Sequence, residues 1–139
     1  MKNLKLKFIA FLILVTGFGA ACSVKDSDNY CYSTAYAAIT AVTGPSATTI
    51  NVPITFDVTY LPGGTCGTLN HITESASSTG TLSKDISVLV NYEGCQCPAT
   101  DKTLTAPYTF TATTAGTYEL KFITKTAGQP IVKTIVVTE

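Results

Sequence analysis

The chain has 139 residues, nine lysines, no arginine, nine acidic residues and five cysteines, a length that fits about one domain. Three lysines (Lys2, Lys5, Lys7) sit in the first seven residues, so residues 22–139 keep six against nine acids, a net charge of −3. That excludes a basic surface for nucleic acid, and 45% hydrophobic with 13% charged residues excludes a disordered composition.

The first predicted element is an export signal over residues 1–21. A basic start, Met1 to Lys7, precedes the apolar run Phe8 to Val15 and the small residues Gly17, Gly19, Ala20 and Ala21. The stretch from Phe8 to Ala21 is 14 residues, short of the roughly 20 that a membrane-spanning helix needs. Cys22 follows directly. Small residues before a cysteine at the end of an apolar run resemble the lipobox of bacterial lipoproteins, with Gly19 where that family usually has leucine. The resemblance implies cleavage before Cys22, a diacylglyceryl group on its sulfur and acylation of the new amino group. It places the protein in the bacterial cell envelope, at the outer membrane, with the bilayer as partner through two or three acyl chains. Residues 22–35 read as a polar tether. Lys25, Asp26 and Asp28 resemble the charged segment that follows the lipidated cysteine in Bacteroidota lipoproteins.

From residue 36 onward the pattern is that of strands. Threonine supplies 24 of the last 118 residues, a composition that favours sheet over helix. Alternation puts Val52, Ile54, Phe56, Val58 and Tyr60 on one side of their run. It does the same for Ile86, Val88, Val90 and Tyr92, for Leu104, Ala106, Tyr108, Phe110 and Ala112, and for Tyr118, Leu120 and Phe122. Residues 131–138 are β-branched with mixed parity, which predicts a strand covered on both faces or one with a bulge. Turn signals such as Gly44-Pro45, Pro62-Gly63-Gly64 and Gly128-Gln129-Pro130 separate the runs. The predicted strands are 36–43, 51–60, 68–75, 79–93, 103–113, 116–126 and 130–138.

Seven short strands in about 105 residues match the count of an immunoglobulin-type sandwich. The run Gly116-Thr117-Tyr118 resembles the tyrosine corner of immunoglobulin-like and fibronectin-like domains. There the tyrosine hydroxyl ties back to the preceding loop. The resemblance implies an all-β, seven-stranded antiparallel immunoglobulin-like sandwich over residues 36–139. Leu120 stands where an antibody domain has its second core cysteine, so apolar packing replaces the disulfide between the sheets.

With Cys22 lipidated, Cys31, Cys66, Cys95 and Cys97 remain. An even number in an exported chain predicts two disulfides. Only Gln96 separates Cys95 from Cys97, so a bridge between them would be badly strained. Each therefore pairs with Cys31 or Cys66, which leaves two connectivities. Redox or zinc chemistry at these thiols lacks a basic neighbour or a second histidine.

No catalytic residue, metal ligand or cofactor site is assigned. The one histidine, His71, reads as a half-buried structural residue on the face of Leu69. No G-x-S-x-G element accompanies it, and Asp57, Glu74, Asp85, Glu93, Asp101 and Glu119 form no motif. Tyr60, Tyr92, Tyr108 and Tyr118 have core parity, whereas Tyr30, Tyr32 and Tyr36 read as cover for the cysteines, with a small contact surface as the alternative. The function expected is a non-enzymatic, lipid-anchored binding or structural module with a protein or glycan partner. The loops at 44–50, 76–80 and 113–116 are its contact candidates. A carbohydrate-binding accessory of a glycan-uptake system is the alternative, and a small hydrolase a weaker one.

Overall fold

The computed structural model describes residues 30–139; the expected leader, Cys22 and most of the segment read as tether lie outside the described residues. Eight strands follow one another: β1 (Tyr32–Thr43), β2 (Ala47–Thr49), β3 (Ile54–Leu61), β4 (Gly67–Ala76), β5 (Ser83–Glu93), β6 (Leu104–Phe110), β7 (Gly116–Phe122) and β8 (Ile131–Thr138). No helix occurs among the described residues. All seven predicted runs are strands, and β2 is an eighth, three residues long, just past the Gly44-Pro45 turn signal. The first strand begins at Tyr32, inside the segment read as tether.

The strands form one curled, mixed sheet rather than two wholly antiparallel ones. β1 is the hinge of the curl. Residues 32–37 pair with β5 and residues 38–43 with β3, and a register shift between Ile39 and Ala41 falls inside the second ladder, just past the change of partner. Such an irregularity adds to the local bend of the strand. One limb carries β4, β5, β7, β8 and β2; the other carries the end of β1, β3 and β6. Two pairings, β5 with β7 and β2 with β8, are parallel, where seven antiparallel strands were expected. The chain leaves β5, crosses to the opposite limb as β6 and returns as β7 pointing the same way. Parallel neighbours need such a crossover.

The limbs pack face to face through the residues whose alternation marked them. Phe56, Val58, Tyr60, Ile86, Val88, Val90, Leu120, Phe122 and Ile135 are all buried. Phe122 of β7 meets Phe56 of β3 at 6.0 Å and Tyr108 of β6 edge-on at 5.9 Å, within the range where aromatic pairs attract. Gly44 is required at the turn out of β1, because a Cβ there would come under 3.0 Å of three ring carbons of Phe56.

β8 departs from both expectations. Its register with β7 is unbroken, and only Ile135 and Val137 are buried, while Val132 and Val136 are exposed. The β-branched residues on its outer side reflect strand propensity, not burial.

Candidate functional site

The four cysteines meet at one end of the molecule, and the ladders explain why. β1 and β4 both run antiparallel to β5, on opposite edges of it. Tyr32 faces Glu93, and Gly67 faces Tyr92. The residues just before these strands, Cys31 and Cys66, therefore arrive where Cys95 and Cys97 follow β5. The bridges are Cys31–Cys95, with Cα atoms 4.8 Å apart, and Cys66–Cys97, with Cα atoms 5.4 Å apart. Backbone bonds from Gly94 N–H to Cys31 O and from Thr65 N–H to Pro98 O, both 2.9 Å, close the same end. Beside it, an open cleft of about 320 Å³ lies between Pro62–Gly67 and Thr100–Leu104, with Lys102 its one charged lining residue.

At the opposite end, Gly116 opens β7 with a φ of 149°, and Tyr118 is buried. The Tyr118 hydroxyl donates to Thr114 O (3.1 Å) and lies 2.8 Å from Thr114 Oγ1. This ties the tyrosine to the turn before its strand.

The largest surprise is the outer face of β4, β5 and β1. Residues directly opposite in a ladder share a face. That places Tyr36, Leu89 and His71 in one row, Thr34, Asn91 and Thr68 in the next, and Tyr32 with Glu93 in a third. Tyr32 and Tyr36 are 53% and 70% exposed, and Tyr30, two residues before Tyr32, is 67% exposed. All three therefore stand largely in solvent. Tyr36 is four strand residues from Tyr32, about 13 Å further along at the usual rise. By contrast Tyr60, Tyr108 and Tyr118 are buried, and Tyr92 is half-buried with its hydroxyl on Pro62 O.

His71 also differs from its expectation: it is exposed, and it faces away from Leu69. The cause is a register shift between Leu69 and His71 that inserts Asn70 as an extra residue. A bulge re-aims side chains, and here it brings Asn70 into reach of the outer face. His71 Nδ1–H donates to Asn70 Oδ1 (2.6 Å), and Asn70 Nδ2–H donates to Asn91 Oδ1 (2.6 Å). The sequence does carry a trace of this bulge. Leu69 and Ile72 are the apolar residues of that run, and they are three apart where an even strand would put two.

Glu74, on the inward side of β4, spans to the other limb. Its Oε2 accepts from the Tyr108 hydroxyl (2.5 Å), and its Oε1 pairs with Lys84. Burial pushes the Glu74 carboxyl up, but hydrogen bonds from Lys84 and Tyr108 and the lysine charge outweigh it, leaving it below the ordinary value. Tyr108 moves up, first through burial and then through its bond to Glu74, so it stays a donor. A carboxyl held low in the fold stabilises above its unfolded value near pH 4, and that contribution is lost as pH falls through the folded value. The thermal midpoint is therefore expected to drop between about pH 5 and pH 2 more steeply in the wild type than in Glu74→Gln. Because both side chains are one-third exposed, the difference should stay under ~1 kcal/mol. Parallel melting curves of the two proteins across that range provide the check.

The described residues contain no group of three or more His, Cys, Asp or Glu side chains placed to hold a metal ion. The remaining carboxylates are spread over several strands and loops, with Asp57, Glu93, Asp101 and Glu119 exposed. No protein-family model, no curated protein and no solved structure matches this chain.

Proposed function

We propose that the protein is a lipid-anchored, non-catalytic binding module of the bacterial cell envelope, and that the outer face of β4, β5 and β1 does the binding. The observation that carries this reading is the pair of exposed tyrosines, Tyr32 and Tyr36, flanking a row of linked amides on one sheet face. Tyrosine is enriched at contact surfaces because its ring is apolar and its tip is wet. The loops at 44–50, 76–80 and 113–116 are weaker candidates than they looked in the sequence. Segment 47–49 is a strand paired with β8, and Thr114 is taken up by Tyr118.

An immunoglobulin-like sandwich is the finer reading of the fold. The antiparallel layer of β1, β3 and β6 and the Tyr118 tie speak for it; the parallel pairing of β5 with β7 is its departure.

The anchor half of the proposal rests on Cys22 after Ala20-Ala21. Cells fed a palmitate analogue should label the wild-type chain, whereas Cys22→Ala should stay unlabelled and leave the membrane fraction. Equal labelling of the two would remove the anchor. For the binding half, amide resonances of β1, β4 and β5 should shift when a ligand is added. Shifts confined to the Pro62–Leu104 cleft or to the β3–β6 face would move the site elsewhere.

A further inference from the structure

We infer that the occupant of this face is a neutral oligosaccharide, laid along the strands with Tyr32 and Tyr36 stacked against its sugar rings. This rests on the binding reading of the same face. Three observations choose the ligand class.

The first is charge. Glu93 shares a row with Tyr32, and Asp85 lies on the same side of β5 beyond Ser87, so the full charges bounding the patch along that strand are acidic. Lys121 of β7 stands directly across the ladder from Asp85 and pairs with Glu119 at 3.6 Å, which leaves Glu93, beside Tyr32, as the unbalanced charge of the patch. Anionic ligands such as uronate chains, phosphates or nucleic acid would meet like charge there, which selects against them.

The second is the direction of the hydrogen bonds. The bonds run from His71 through Asn70 to Asn91, each donating to the next. What they leave over, among the described residues, is donors at Asn91 Nδ2 and at the second hydrogen of Asn70 Nδ2, and acceptors at His71 Nε2 and at the second lone pairs of the two amide oxygens. A carboxylate only accepts and an ammonium only donates. A hydroxyl does both, so a row of sugar hydroxyls satisfies both kinds.

The third is shape. Tyr32 and Tyr36 stand on one strand with Thr34 between them, so two flat apolar surfaces are separated by a hydroxyl row. A pyranose ring is built to match, with apolar C–H faces and a polar rim. Tyrosine offers a large rigid area with a polar tip at little cost in conformational freedom. A chain of several sugars would reach both.

The test uses the purified exported protein and titration calorimetry. The neutral probes are linear hexasaccharides of β-1,4-glucan, β-1,4-mannan, β-1,4-xylan and α-1,4-glucan; the charged ones are polygalacturonate fragments and an octalysine peptide. At least one neutral hexasaccharide should bind at micromolar to millimolar concentration, and neither charged probe should compete. Tyr32→Ala, Tyr36→Ala and Asn91→Ala should each weaken that binding by about tenfold. Tyr32 and Tyr36 are exposed, so their variants should keep the wild-type melting temperature, which separates lost contact from lost fold. Absence of neutral binding at millimolar concentration would overturn the inference. Binding that ignores all three substitutions would overturn it too. If a charged probe binds in place of the neutral ones and the tyrosine variants abolish it, the face stands as the binding site and its assignment to neutral glycans falls.

Discussion

Replacing Cys31 and Cys95 together by alanine should lower the stability of the domain by about 4 kcal/mol, and replacing Cys66 and Cys97 together by a similar amount. The bridged residues are 64 and 31 apart in sequence. In the chain-entropy account, opening loops of that size returns this much freedom to the unfolded chain. For a domain of about 110 residues the corresponding drop in melting temperature is roughly 15 °C. The two loops overlap from residue 66 to residue 95, so removing both bridges should cost less than the sum. Even so, the loss would approach the whole of an ordinary domain stability of ~5–15 kcal/mol. Melting curves with and without a reductant, on the wild type and the two double variants, test this. A midpoint that reductant leaves unmoved would contradict it.

Phe122→Ala is expected to cost ~3–5 kcal/mol, the range for truncating a fully buried phenylalanine. Phe122 is wholly inaccessible and sits between the limbs, against Phe56 on one side and Tyr108 on the other. Its removal takes away the contact through which β7 meets β3 and β6 together, and the surrounding strands can close only part of the void. Phe122→Leu, which keeps most of the volume, should cost under about 1.5 kcal/mol. Urea titration should show both as shifts of midpoint at constant slope. Equal effects from the two substitutions would mean that the cavity does not control the loss.

The strands were legible because one face of nearly every run had to be buried. Phe56, Val58 and Tyr60, or Ile86, Val88 and Val90, alternate with polar residues, and alternation reports facing directly. It does not report neighbours. Nothing in the residues of β5 and β7 distinguishes a parallel partner from an antiparallel one, since pairing is made by backbone groups that every residue carries. The short β2 was hidden for another reason: three residues are too few to display a period. In β8 the β-branched residues on the outer side blurred the parity that Ile135 and Val137 alone would have displayed.

The row of amides on the outer face was hidden by one inserted residue. Until Asn70 is recognised as a bulge, His71 counts onto the inner side with Leu69, and the row of amides does not exist. Tyr32 and Tyr36 posed a different difficulty. Their closeness to Cys31 in sequence made them look like cover, whereas the strand carries Tyr36 well away from the bridge. The cysteines were the opposite case, because the short Cys95-Gln96-Cys97 spacing restricts its own partners whatever the topology.

The bridge between Cys31 and Cys95 also determines how the domain bears a pull from its N-terminal side. Without it, tension would act first on β1. With it, tension also passes through sulfur to β5, a strand held by β4 on one edge and by β1 and β7 on the other. A protein tethered ahead of residue 31 and holding a polymer on the adjoining face would carry such loads routinely. With the proposed anchor at Cys22, the bridge would give such a protein a covalent path from its membrane end to the central strand.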